Sequence, residues 1–125
     1  MRLLLDTQMV IWTAETGRRI PLEGRRLIEN AEAVFVSAAS LFEIAMKASA
    51  RKLKVDMARL EYSLDGAGFN PLPITWAHAI RAYDIASGHP DPFDRLLLAQ
   101  AITEPLHLLT TDEALAPYSD LVVAV

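Results

Sequence analysis

The chain has 125 residues, 52% of them apolar, a net charge of −4 and no cysteine. That length suits one compact domain, expected to span residues 1–125, and the lack of cysteine excludes disulfides and thiolate metal sites. The acidic balance excludes nucleic-acid binding by bulk electrostatics alone, but not an enzyme that holds a phosphodiester through cations, because the ions supply the positive charge.

In chain order, Arg2–Asp6 is a short apolar run closed by a turn-forming acid and reads as a buried strand. Thr7–Ala14 reads as a helix, and Gly17–Pro21 as a loop. Pro21 opens a second helix with Leu27 and Ile28 turned inward. Ala33–Val36 is a second strand, and Ser37 is the N-cap of a long helix running to about Arg51. Asp56–Ala67 is a further helix, ended by Gly68. Pro71 and Pro73 restrict Phe69–Ile74 to an edge strand. Thr75 caps a helix through Ile85, and Asp91-Pro92 opens another to about Thr103. Leu106–Thr110 is a strand, Asp112–Ala116 a short helix and Leu121–Val125 a last strand. No run approaches the ~18 apolar residues of a membrane span, and Leu3–Leu5 is too short for a signal-peptide core, so a cytoplasmic protein is expected. Short apolar strands alternating with amphipathic helices predict an α/β fold with a parallel sheet covered on both faces. Ligands of such sheets bind beyond the carboxyl ends of the strands.

Four acids fall at that rim. Asp6 ends the first strand and Asp112 lies two residues past the Leu106–Thr110 strand. Glu43 is six residues into the helix that leaves the second strand, and Asp94 lies in the first turn of the Asp91-Pro92 helix. Singly, each has a structural explanation. Asp6 and Asp112 suit N-caps, Asp94 suits a helix start, and Glu43 suits an ion pair with Lys47 on a solvated face with Ser40 and Arg51. Jointly, four carboxylates on one rim repel one another and call for a cation. Hard oxygen donors without thiolates select Mg²⁺ or Mn²⁺. Two such ions about 4 Å apart activate a water and steady the leaving oxygen of a phosphodiester. Ser37 and Thr110 are hydroxyls at the same rim, placed either to orient a ligand or to cap.

Several stretches resemble the PIN-domain family, and in particular the VapC ribonuclease toxins of type II toxin–antitoxin pairs. Leu-Leu-Leu-Asp6-Thr7 resembles the family's first motif, and Ser37-Ala-Ala-Ser-Leu-Phe-Glu43-Ile its second. His89-Pro-Asp-Pro-Phe-Asp94-Arg95-Leu-Leu-Leu-Ala-Gln-Ala resembles one VapC subgroup, and Leu-Leu-Thr110-Thr-Asp112 the fourth motif. The resemblance covers nearly the whole chain. It implies a PIN-like three-layer α/β/α fold with a central, mostly parallel sheet of four to five strands. It also implies that Asp6, Glu43, Asp94 and Asp112 are the catalytic, metal-binding acids, with Mg²⁺ or Mn²⁺ as cofactor and Thr110 as the hydroxyl before the last acid. RNA as substrate (tRNA or rRNA), a VapB-like antitoxin and a homodimer are further implications. No acid is missing, which counts against the alternative of a catalytically silent PIN-like module that only binds RNA or protein. A phosphoacceptor receiver domain would use Asp6 but has no role for Asp94.

Asp94 is the expected ligand and Asp91 the expected cap. Arg95 reads either as an RNA-backbone contact or as a partner for a nearby acid. His89 reads as a phosphate contact or a loop residue, His107 as a core histidine, and His78 has no evident chemical partner. Lys47, Arg51, Lys52 and Lys54 form a basic stretch, either a solvated helix end or a track for RNA or an acidic partner. Trp12, Phe42, Met46 and Trp76 are expected mostly in the core, with Trp12 and Met46 also candidates to line a groove for an antitoxin helix.

Overall fold

The computed structural model describes residues 1–85 and 91–125; His89 lies outside the described residues. Five strands, β1 (Arg2–Leu5), β2 (Ala33–Ser37), β3 (Asn70–Leu72), β4 (His107–Thr110) and β5 (Val122–Ala124), form one sheet in the order β3-β2-β1-β4-β5. Every pairing is parallel. β3, the proline-containing segment, is an edge strand as its sequence predicts, since proline cannot donate to a ladder.

The central strands alternate between two cores. Leu3 and Leu5 of β1, Val34 and Val36 of β2 and Leu109 of β4 join Met9, Val10, Ile44, Leu60 and Leu64 on one face. Leu4 and Leu108 join Ala39, Leu97, Leu98 and Ala101 on the other. A side-chain period of two sends neighbouring leucines to opposite faces, so a continuous apolar run is what a strand buried on both sides requires.

The helices are α1 (Thr7–Glu15), α2 (Leu22–Asn30), α3 (Ala38–Ser49), α4 (Met57–Gly66), α5 (Trp76–Arg81) and α6 (Pro92–Thr103). Side-chain caps set most of their starts. Asp6, Ser37, Asp56, Thr75 and Asp91 each accept a hydrogen bond from a backbone N–H of the first turn. Helix α3 ends at Ser49, short of the expected Arg51. The N–H groups of Arg51 and Lys52 turn back to the carbonyls of Ala48 and Lys47, and Arg51 takes the left-handed φ of 58° that usually falls to glycine at this position. The expected Thr75–Ile85 helix is also shorter, giving way to a 3₁₀ turn at Ala82–Asp84. The expected helix at Asp112–Ala116 is a 3₁₀ segment, Glu113–Tyr118.

His78 has the partners that its sequence context hides. It is buried, its Nδ1 accepts from the Thr75 N–H at 3.0 Å, and its Nε2 lies 2.5 Å from Glu104 Oε2. Because His78 takes the inward face of α5, Trp76 and Ile80 point outward with Tyr83, at 88, 70 and 88% exposure. The expected core placement of Trp76 is therefore wrong, and so is that of Phe42 and Met46, which are also exposed. No helix among the described residues is long and apolar enough to cross a membrane.

Asp91 closes the N-terminus of α6 with hydrogen bonds from the N–H groups of Phe93 (2.8 Å) and Asp94 (3.2 Å) to its Oδ1. Replacing it with alanine should lower unfolding free energy by about 0.5–2 kcal/mol, read by urea denaturation, whereas Asp91→Asn should stay close to the parent.

Candidate active site

The strand order reverses direction at β1. The chain steps outward to β2 and β3 on one side and to β4 and β5 on the other. The crevice for a ligand in such a sheet opens at this switch point, beyond the carboxyl ends of the two strands. Asp6 follows β1 directly, and its backbone N–H donates to the Leu109 carbonyl of β4. Thr110 ends β4, and Asp112 follows two residues later.

One hydroxyl ties these residues together. Thr110, fully buried, donates through Oγ1 to Asp6 Oδ2 at 2.5 Å and accepts from the Asp112 N–H at 2.9 Å. The other Asp6 oxygen, Oδ1, accepts from the Met9 N–H at 2.8 Å and caps α1. Asp112 Oδ1 accepts from the Ala114 N–H at 3.0 Å. The capping explanation of Asp6 and Asp112 is thus correct and does not compete with a role at the site, because a carboxylate has about four lone-pair positions and a cap uses one.

Asp6 is 7% exposed. Burial pushes its carboxyl above the ordinary aspartate value; the Thr110 hydroxyl and the Met9 N–H pull it back, and the negative charges of Asp94 and Asp112 raise it further. Thr110 ties Asp6 and the loop of Asp112 to one rim, and Asp94 acts on Asp6 by its charge alone. They sit at different depths, with Asp6 buried, Asp94 half-buried and Asp112 exposed.

Glu43 lies in the second turn of α3. It is buried, and Lys47 Nζ meets its Oε2 at 2.8 Å. The pair predicted from the i,i+4 spacing is present, but not on a solvated face: Ser40 is fully buried and hydrogen-bonds Thr7 at 3.1 Å between their hydroxyl oxygens. Neither Thr7 nor Ser40 stood out in the sequence, because small hydroxyl residues at helix starts are too common to signal a site. Lys47 also feels Asp91 and Asp94. The Glu43 hydrogen bond holds its ammonium above the ordinary lysine value against a lowering by partial burial, and the charges of Glu43, Asp91 and Asp94 add to the rise.

Two other expected ligand-orienting residues are engaged with the backbone. Ser37 is fully buried and its Oγ accepts from the Ala39 N–H at 3.0 Å, as the cap of α3. Arg95 donates through Nη2 to the carbonyls of Ala82 (2.9 Å) and Ile85 (3.3 Å), tying the 3₁₀ turn to α6; it joins neither an acid nor the open rim through these bonds. Phe42 and Phe93, each one residue before an acid, lie 6.2 Å apart between ring centroids.

The donor set suits a hard divalent cation, since it consists of carboxylates and hydroxyls only. No three His, Asp or Glu side chains among the described residues close tightly enough to cage an ion.

A PIN-domain family model matches residues 3–121. The chain is 31% identical over 114 residues to Ribonuclease VapC22 of Mycobacterium tuberculosis, covering 90% of this chain and 88% of that protein. Its fold is similar to a chain of VapBC2 from Rickettsia felis bound to a promoter DNA fragment, with a TM-score of 0.69, 16% identity and coverage of 98% and 96% of the two chains. It is similar also to a chain of a toxin–antitoxin complex from Klebsiella pneumoniae, with a TM-score of 0.70, 21% identity and coverage of 98% and 96%. A chain of FitAcB from Neisseria gonorrhoeae gives 0.66 at 22% identity, over 98% and 96%. The match along nearly the whole sequence, joined to a five-stranded parallel sheet with acids at its switch point, places the chain in the PIN-domain family.

Proposed function

We propose that the chain is a VapC-type endoribonuclease toxin, a metal-dependent hydrolase of RNA phosphodiester bonds, restrained by a VapB-like antitoxin. The observation that carries this reading is the buried Thr110 hydroxyl that joins Asp6 to the backbone of Asp112 at the carboxyl ends of β1 and β4. The ribonuclease name of the 31%-identical relative supports the activity, and the toxin–antitoxin complex similar to it in fold supports the partner. In this reading residues 1–125 act as one nuclease domain, and a homodimer belongs to the same assignment.

Asp6, Asp94, Asp112 and Glu43 are the residues we assign to hold Mg²⁺ or Mn²⁺. When bound, such ions supply positive charge to the scissile phosphate and lower the pKa of an attacking water. Asp6 provides the fixed point, because its carboxylate is held by two hydrogen bonds and barely reached by water. Thr110 is a positioning residue: its hydroxyl orients Asp6 Oδ2 and, through the Asp112 N–H, the loop that carries Asp112. Asp91 holds the first turn of α6 and thereby the backbone of Asp94. The exposed Arg51, Lys52 and Lys54 lie beyond the end of α3 and offer backbone phosphates a basic path despite the negative net charge.

Purified protein incubated with tRNA or structured RNA and Mg²⁺ or Mn²⁺ should produce discrete fragments on a gel, and a chelator should stop cleavage. Asp6→Asn and Asp94→Asn should each cut at least ~100-fold more slowly, since even residues that only support a metal ligand are worth about 10–100-fold. Undiminished cleavage by both variants would refute the site assignment, and tight RNA binding without product would point to the silent binding module instead. Thr110→Val keeps the shape and removes the hydroxyl, and should lose about 10–100-fold.

Asp6 also makes a prediction about stability. Its carboxyl titrates higher folded than unfolded. Its ionisation therefore opposes folding above the folded-state pKa, and the opposition fades as pH falls toward the unfolded value. Asparagine caps a helix as well as aspartate. In metal-free protein, Asp6→Asn should melt above the parent at pH 7, with the gap narrowing on acidification in thermal scans.

A further inference from the structure

We propose that Lys47 is the built-in counter-ion of the acidic rim, holding in the metal-free protein the charge position that a divalent cation takes over. The proposal rests on the reading that these acids bind the metal. Its basis is geometric. Lys47 Nζ lies 2.8 Å from Glu43 Oε2, one turn along α3. The Phe42 and Phe93 rings, each beside an acid, lie 6.2 Å apart and set the start of α6, with Asp91 and Asp94, next to α3. Lys47 thus pairs directly with Glu43 of its own helix, and the charges of Asp91 and Asp94 add to the field at its ammonium. Arg95, the cation of α6, is turned instead to the carbonyls of Ala82 and Ile85.

The two partners differ in freedom. The Glu43 side chain is 11% exposed and Lys47 51%, so the carboxylate is fixed by its surroundings while the lysine ends in solvent on a flexible four-carbon stem. The carbonyl of Lys47 is itself fixed by the Lys52 N–H at the end of α3. A divalent ion at Glu43 and Asp94 repels a neighbouring ammonium, so the ion and Lys47 compete for the same carboxylates. A lysine in this place keeps the acids compensated when no metal is present and weakens metal binding by the interaction it must give up.

The sign of that competition is testable with Mn²⁺ alone, by isothermal titration calorimetry on the full chain. Lys47→Met keeps most of the stem and removes the charge, and should bind Mn²⁺ about two- to tenfold more tightly than the parent, the range expected for a partly exposed ion pair together with the lost repulsion. Lys47→Arg keeps the charge and should stay within about twofold. Unchanged or weaker Mn²⁺ binding by Lys47→Met, with parent binding intact, overturns this inference and leaves the nuclease reading standing. Equal tightening by Lys47→Arg also overturns it, because charge would then not be the cause. Absence of Mn²⁺ binding to the parent overturns both.

Discussion

Thr110 and Asp6 are separated by 104 positions and joined by one hydrogen bond between buried groups. Around it the two central strands end, α1 begins, and the loop to Asp112 takes its direction. A buried carboxylate needs hydrogen bonds to remain ionised, and Asp6 has them from the Met9 N–H and the Thr110 hydroxyl. The second lone pair of the same hydroxyl accepts from the Asp112 N–H. Neighbouring parallel strands bring the two chain segments together. The hydroxyl then turns that proximity into a fixed relation between two acids.

Much of this was legible in the sequence because it depends on local chemistry. Apolar runs such as Leu3–Leu5 and Leu108–Leu109 can be buried on both faces only in a covered parallel sheet. Capping residues such as Ser37, Asp56 and Asp91 mark helix starts without any tertiary information. Both signals survive in the structure with boundaries shifted by a residue or two. The Glu43–Lys47 pair was legible for the same reason, since i,i+4 spacing on a helix is a local fact.

What was not legible is which way a helix faces. Trp76 belongs by type to a core, yet it lies outside because His78 occupies the inward face of the same short helix and finds Glu104 and Gln100 there. Those partners are more than twenty positions away, and no local pattern announces them. Glu43 shows the converse. Its spacing suggested a solvated ion pair, but the packing of Thr7 against Ser40 draws that face of α3 inward. Arg95, ambiguous beside an acid in sequence, is resolved by the carbonyls of Ala82 and Ile85 at the 3₁₀ turn that follows α5. In each case the deciding contact is long-range and polar, the kind of interaction that periodicity and propensity do not encode.

The acids at the rim form a gradient of exposure, and that gradient bears on how such a site can be stable at all. A closed cage of four buried carboxylates would carry the full repulsion of its charges without a metal. Here only Asp6 and Glu43 are buried, and each has its own compensation: two hydrogen bonds for Asp6, and the ammonium of Lys47 for Glu43. Asp112 stays in water, where repulsion is screened. The remaining strain falls on Asp6, whose raised pKa expresses the cost of keeping a charge where the core would favour none. Stability alone would favour an uncharged residue at that position. Hydrogen bonds from the Met9 N–H and the Thr110 hydroxyl hold this carboxylate at the carboxyl end of β1, beside the point where the strand order reverses, and negative charge at that place is what an amide could not supply.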